Sequence, residues 1–596
     1  MLFLSCFILC SVVVWLLPKE RSLFLKVIPY LMTMSLLLTF FLWREFNQSF
    51  LYLSSFVTNT FLLGGTFLFT YLKNKKFIQK KEIKWTQILI LFISSFLVFI
   101  GILLYISSQW AEQAFSNMTF DQMILALNQP LGQAESSQIF NFLLEPLLNS
   151  LLLSSFVGSV FYFFANYAMI LRTKKEMSHR KIFFPSVFLM SILILIGGIS
   201  LSIKTIGYAD IKAYYFEETK LYENEYVDPR EVDLVFPEKK RNLIYIFLES
   251  MENSYASQDF GGVKANNLIP NLTQLALNEG IQFSNINQLG GMYQLPGTNQ
   301  TASAMVAQTA GLPLRASGGD LDVNTYGKKG TNFFPGAYSL GEILADEGYN
   351  QMLFIGSWAG FAGRDKYFKQ HGNYEVRDVY WARDQGLIPK DYWEWWGYED
   401  RKLFDFAKDS LTELANQAEP FNFTMLTTDT HFEDGYATEE TPNRFNDQYS
   451  NVIYDSDRQV KAFLEWIKSQ PFYEETTVVI VGDHLTMDRD FFDADDPNYQ
   501  RTIYNVFLNS PIQPVQSKNR ILTSLDLFPT TLAALGVEVK GERLALGVNL
   551  FSSEPTLAEK IGFDNLYQAL MQRSDFYDQN LMQGTDEALM PEESSD

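Results

Sequence analysis

Apolar residues change their pattern along this chain near residue 205. Before that point six stretches carry no charged side chain: Met1–Pro18, Val27–Trp43, Phe46–Leu72, Trp85–Ala111, Pro146–Leu171 and Ile182–Ile203. Each is long enough, or nearly so, to cross a hydrocarbon core of about 30 Å as a helix. After that point the apolar runs are short and continuous: Asn242–Glu249, Gln351–Ile355, Phe421–Leu426, Thr477–Val481 and Tyr504–Leu508. Runs without alternation predict strands covered on both faces. Between them lie helical patterns over Ile269–Asn278, Ser339–Glu347, Asp400–Asn416, Asp447–Lys468 and Leu525–Leu535. Strand–helix alternation predicts an α/β domain with a mostly parallel central sheet. The expected organisation is a transmembrane region over residues 1–205, a juxtamembrane linker over 206–240, an α/β domain over 241–552, and a C-terminal extension over 553–596 ending in an acidic, disordered tail.

Charge orients this plan. Residues 1–205 hold 16 Lys+Arg against 8 Asp+Glu, so the remaining residues hold 31 against 60, a balance of −29. The first, third and fifth loops between the stretches contain Lys19, Arg21 and Lys26; Lys73, Lys75, Lys76, Lys80, Lys81 and Lys84; and Arg172, Lys174, Lys175, Arg180 and Lys181. The second has only Arg44, and the fourth has no cation. The positive-inside rule puts the odd loops in the cytoplasm, and six spans then put the N-terminus and everything beyond Ile203 outside. The expected location is a bacterial plasma membrane, crossed several times, with the α/β domain extracellular. A surface at −29 repels nucleic acid. The only cysteines, Cys6 and Cys10, sit in the first apolar stretch, which excludes a disulfide scaffold and a cysteine zinc cluster. With 47% hydrophobic and 15% aromatic residues, most of the chain is not intrinsically disordered. Tyr214, Tyr215, Phe216, Tyr222 and Tyr226 lie among acidic residues just past the last span, as interfacial rings or as part of an ordinary linker.

In a parallel α/β sheet ligands gather at the carboxyl ends of the strands. One predicted strand ends in Glu249, and another ends in Asp483 and His484. Two carboxylates and an imidazole suit one divalent cation, Mn²⁺, Mg²⁺ or Zn²⁺. The plainer alternative is a turn at Gly482–His484 and a helix cap at Glu249. The Gly- and Pro-rich segment Leu289–Gln300 is a loop, and TASAMVAQTAG from Thr301 is helical. A hydroxyl at a helix start, beside a cation, is a candidate nucleophile. Thr301 fits that position, or else caps the helix; Thr298 and Ser303 are weaker candidates, and Thr309 lies deeper. His431 follows an apolar strand within a polar loop, where a core histidine would not stand. His371 and His179 have no such context.

The ordered segments NLIYIFLESMENSY, GTNQTASAMVAQTAGLPL, FTMLTTDTHFEDGY and TTVVIVGDH, with SLDLFPTTLAALGV and ERLALGVNLF, resemble the lipoteichoic acid synthase-like phosphoglycerol transferases of the alkaline phosphatase and sulfatase superfamily. The likeness covers roughly residues 240–552 and is nearest to the branch that decorates glycans with glycerol phosphate. It implies an alkaline phosphatase/sulfatase-like fold and a metal held by Glu249, Thr301, Asp483 and His484, most simply Mn²⁺. It implies Thr301 as nucleophile and His431 as the residue that contacts the substrate phosphate and moves a proton. Arg364 would line the phosphoglycerol pocket, with Trp358 and Asp365 beside it. Gln300 stands where that branch would carry an aromatic residue. The implied reaction moves sn-glycerol phosphate from phosphatidylglycerol to an extracellular glycan, or to a growing polyglycerol phosphate chain as in a lipoteichoic acid synthase. A phosphoethanolamine transferase would usually carry disulfides, a sulfatase needs a C/S-x-P-x-R motif, and an inactive sensor or scaffold has no use for an intact ligand set.

Overall fold

In the computed structural model the described residues are 78–80, 82–114, 120, 123–124, 140–169, 180–315, 333–488 and 490–584. The expected stretches Met1–Pro18, Val27–Trp43 and Phe46–Leu72, and the tail after Gly584, lie outside them. Packing divides the chain into two units, residues 1–111 with 135–205, and residues 112–134 with 206–596.

The first unit contains helices α1 (Trp85–Ala114), α2 (Leu148–Ala165) and α3 (Arg180–Ile206). Among the described residues three segments here are long and apolar enough to cross a membrane: Trp85–Glu112, Phe140–Tyr162 and Ile182–Ile206. α1 and α3 meet backbone to backbone, because a Cβ on Gly198 would lie 2.1 Å from the carbonyl oxygen of Gly101. Small residues permit that approach where water supplies no driving force. Buried hydroxyls turn inward on their own helix: Ser191 Oγ donates to the Val187 carbonyl at 2.9 Å and Ser202 Oγ to that of Gly198 at 2.8 Å.

The second unit is built on six strands: β1 (Asn242–Leu248), β2 (Asn350–Ile355), β3 (Glu375–Arg377), β4 (Phe421–Leu426), β5 (Thr476–Gly482) and β6 (Asn505–Leu508). Their spatial order is β3-β2-β4-β1-β5-β6. All neighbours are parallel except β5 and β6, so the sheet is mixed but mostly parallel. β1 shows why its run is continuous. Leu243, Tyr245 and Phe247 enter one hydrophobic core, while Ile244, Ile246 and Leu248 enter another on the opposite face. Period-two side chains with both faces covered leave no polar position. Helices α4 (Tyr208–Phe216), α5 (Thr301–Ala310), α6 (Leu340–Asp346), α7 (Arg364–Gln370), α8 (Asp400–Ala415), α9 (Gln448–Lys468) and α10 (Leu527–Ala534) belong to this unit.

Residues 206–240 and 553–584 pack into the same unit. Tyr222 is buried against Tyr577, ring centroids 5.1 Å apart, and Leu234–Val235 pairs antiparallel with Glu538–Val539. The interfacial aromatics divide accordingly: Tyr214 is buried, whereas Tyr208, Tyr215 and Phe216 on α4 are exposed. Phe120 packs edge-on against Tyr214 and Tyr215.

Candidate metal centre

Register brings the first ligands together. Leu248 of β1 faces Gly482 of β5, so the next residues, Glu249 and Asp483, leave the sheet at one level on neighbouring strands. The chain turns at once after Glu249, with Ser250 in the left-handed region at φ 53°. That turn aims the Ser250 N–H at Asp483 Oδ1 (2.8 Å) and its hydroxyl at Glu249 Oε1 (2.8 Å). Glu249 is held from the next strand as well: its N–H donates to Thr427 Oγ1 (2.9 Å), and Thr430 Oγ1 donates to its carbonyl (2.6 Å).

Glu249, Asp483 and His484 are buried, and each offers a ligand atom within 4.8 Å of the others. Asp483 Oδ1 accepts from the backbone of Ser250 and of His484, yet Oδ2, equally buried, has no hydrogen-bond partner. In the neutral His484 ring Nδ1, 2.9 Å from the Leu485 carbonyl, carries the proton, which leaves Nε2 as a lone pair 3.5 Å from Glu249 and 3.4 Å from Asp483. A buried carboxylate oxygen with no donor, beside an unprotonated imidazole nitrogen, is what a divalent cation satisfies. Without one the charges strain each other. Burial, then Glu249, pushes the Asp483 carboxyl up to about 7. Burial opposes a charge on His484, but Asp483 and Glu249 outweigh it and raise its pKa.

Thr301 is the first residue of α5. Gln300 is the cap, and its N–H donates to Ser303 Oγ at 3.1 Å. The Thr301 side chain is therefore free of capping duty. Its hydroxyl donates to Glu249 Oε2 at 3.2 Å and lies 3.5 Å from His484 Nε2. The other hydroxyls weighed from the sequence are occupied elsewhere. Thr298 bonds to the Leu295 carbonyl, Ser303 to that of Gln300, and Thr309 to Met305 and Tyr367. Gln308 docks α5 on the sheet, donating to the Gly482 carbonyl at 3.0 Å and accepting from Tyr245 at 3.0 Å.

Arg364 opens α7 and is buried. Its guanidinium donates to the carbonyls of Phe361 (3.2 Å) and Trp358 (2.7 Å) and to Ser357 Oγ (3.3 Å). Burial lowers its pKa to about 10, against the opposing charges of Glu249, Asp378, Asp365 and Asp483. Trp358 thus enters through its carbonyl, while its half-buried ring packs against the core behind the sheet. Asp365, half-buried, accepts from the Lys366 N–H at 2.8 Å. His431 lies beyond β4. Its Nδ1 is 2.7 Å from the Phe432 carbonyl, and its ring is 4.7 Å from Trp396. Thr430, the residue before it, is the one that holds the Glu249 carbonyl. His371 engages both ring nitrogens structurally, with Glu342 and the Phe333 carbonyl, and His179 lies outside the described residues.

Sequence reasoning missed two features. Ser250, Thr427 and Thr430 surround Glu249, but hydroxyl residues in loops are too common to signal that. Trp395, Trp396 and Phe361 line the His431 side of the site; the dense WEWWGY run was the available signal.

Residues 241–537 match the sulfatase family. The chain is 31% identical over 335 residues to phosphoglycerol transferase I of Xanthomonas campestris, covering 55% of this chain and 45% of that one. It is 31% identical over 290 residues to the Escherichia coli protein of the same name, covering 47% and 34%. The chain thus aligns with less than half the length of these relatives. Among solved structures, lipoteichoic acid synthase LtaP from Listeria monocytogenes matches at 17% identity and TM-score 0.42, over 54% of this chain and 79% of that one. Phosphoethanolamine transferase EptA from Neisseria meningitidis matches at 14% and 0.44, over 85% and 93%.

Proposed function

We propose that this chain, whose residues 241–537 match the sulfatase family, is a membrane-anchored transferase that moves sn-glycerol phosphate from phosphatidylglycerol to an extracellular glycan. The observation that carries the reading is the Thr301 hydroxyl, at a helix start, bonded to Glu249 within a buried acid–imidazole cluster that has one oxygen unsatisfied. The shared name of the relatives, phosphoglycerol transferase I, supports the transferred group.

Glu249, Thr301, Asp483 and His484 would hold one divalent cation, Mn²⁺ in our reading. Bound there, it would stabilise negative charge on the threonine oxygen and on a phosphoryl oxygen. The remaining chemistry belongs to the chain. Thr301 Oγ attacks the phosphorus, its proton passing toward Glu249 Oε2, and the phosphorus–oxygen bond to diacylglycerol breaks as protonated His431 gives its proton to the departing oxygen. A glycerophospho-threonine remains. His431, now neutral, then takes the proton of an acceptor hydroxyl, whose oxygen attacks phosphorus and releases Thr301, which recovers its proton from Glu249. Arg364 lines the phosphoglycerol pocket, with Trp358 fixing it through its carbonyl and Asp365 adding opposing charge nearby. The −29 balance of the outer residues favours a neutral glycan over a polyanionic glycerol phosphate chain.

Six spans over residues 1–205 anchor the enzyme in a bacterial plasma membrane, with the N-terminus and the catalytic domain outside. The packing of Phe120 against Tyr214 and Tyr215 supports placing that fourth loop outside too. The test is diacylglycerol release from phosphatidylglycerol vesicles by the full-length protein with manganese. Release by the wild type and none by Thr301→Ala is the expected result; equal release by both would overturn the reading.

A further inference from the structure

Next to His431 the chain makes an unusual turn. The Glu394 N–H donates to the Gly397 carbonyl at 2.8 Å, and the Gly397 N–H returns to the Glu394 carbonyl at 2.9 Å, so Trp395 and Trp396 alone form a two-residue hairpin tip. Such tips favour Gly, Asn or Asp, because the first tip residue has positive φ. Here Trp395 occupies it at φ 55°. A bulky residue in that region carries strain, which points to a use for its ring. The hairpin is seated tightly: a Cβ on Gly397 would lie 2.1 Å from the Gly356 carbonyl, just past β2. Trp395 Nε1 donates to the Thr428 carbonyl at 3.2 Å, and its ring stacks on Tyr436 at 6.0 Å. Tyr436 in turn donates to Glu394 at 2.9 Å.

Trp396 is different. It is half-buried, 4.7 Å from His431 and 5.5 Å from Phe361, and its indole N–H has no protein acceptor among the described residues. Phe361 lies under the Arg364 guanidinium, at 5.8 Å. A rigid aromatic wall therefore joins the histidine proposed to handle the acceptor proton to the arginine proposed to hold the donor. An indole presenting both a face and a free donor suits a ligand with an apolar face and hydroxyls at its edge, which describes a pyranose ring. The carboxylate of Glu394, in the hairpin itself, disfavours an anion.

We propose that Trp395, Trp396 and Phe361 form the acceptor platform, on which a neutral sugar ring stacks with its hydroxyl toward His431. This rests on the transferase reading above. The test uses the full-length protein in nanodiscs on an array of neutral bacterial surface glycans. Wild type is expected to retain at least one glycan. Trp396→Ala should weaken that binding at least tenfold with manganese binding intact, and Trp396→Phe should restore most of it. Wild type that retains no neutral glycan, or Trp396→Ala that binds as wild type does, would overturn the platform. Absence of diacylglycerol release by wild type would instead overturn the transferase reading while leaving glycan retention in place.

Discussion

Asp483→Asn is the smallest change that reads what the buried cluster is for. Asp483 Oδ1 carries the two structural bonds, from the Ser250 and His484 N–H groups, while Oδ2 has no partner. Asparagine keeps the first oxygen and replaces the second with a donor that no cation accepts. Manganese affinity by calorimetry should fall on the order of 100-fold, and the melting temperature should hold or rise because a buried charge is gone. A variant that binds manganese normally would contradict the ligand set. Ser250→Ala removes only the hydroxyl that orients Glu249 Oε1, so a smaller loss, about tenfold in the same titration, is expected. Glu249, Asp483 and His484 were legible in the sequence because each closes an apolar strand and histidine is rare in this chain. Ser250 was not, since its role depends on a φ of 53° that no residue pattern announces.

Between strand ends, the loop that carries His431 is tied down by acids. Asp400 opens α8 and Asp429 follows β4. Asp400 accepts the N–H groups of Thr428 (2.8 Å) and Asp429 (3.0 Å), and Asp429 accepts that of Asp400 (3.2 Å). Burial, together with Glu249, pushes Asp400 up to about 7; burial, then Asp400 itself, with Glu399 and Asp455, raises Asp429. A folded pKa above the unfolded value near 3.9 means the fold prefers the protonated pair. That stability is present at acid pH and is lost as pH rises through about 7. The wild-type melting temperature should therefore fall between about pH 5 and pH 8 by several degrees more than that of Asp400→Asn. Parallel slopes for the two proteins would show that the pair holds no extra proton. The strands framing this loop were legible as continuous apolar runs. β3, Glu375–Arg377, was not, because three residues with two charges carry no strand pattern. The reversed direction of β6 was equally hidden, since an apolar run reads the same either way along the sheet.

The six proposed spans give the molecule a particular sidedness, with the N-terminus and the outer unit on one face of the membrane. With Cys6 and Cys10 replaced by serine, single cysteines at Leu2 and at exposed Gln258 should react in intact cells with a membrane-impermeant thiol reagent. A cysteine at Lys76, in the basic third loop, should react only after permeabilisation. Protection at Leu2 with labelling at Gln258 would mean an odd number of spans. The division near residue 205 was legible from charge-free stretches and lysine-rich loops. The ends of the outer unit were not: residues 206–240 and 553–584 read as linker and extension, yet Tyr222 packs on Tyr577, and Leu234–Val235 pairs with Glu538–Val539 of the domain between them. Contacts between segments more than 300 residues apart leave no local signature in either one.

The proposed transfer passes through a covalent intermediate on Thr301, which mass spectrometry can read. Thr301→Ala should remain folded, since Gln300 and not Thr301 caps α5, making the loss smaller than the about 0.5–2 kcal/mol of a cap deletion. Full-length wild type exposed briefly to phosphatidylglycerol and manganese without acceptor should carry a glycerol phosphate on Thr301, within the peptide Gly291–Arg315. An unmodified Thr301 under conditions in which diacylglycerol is released, or an adduct on another residue, would contradict the account.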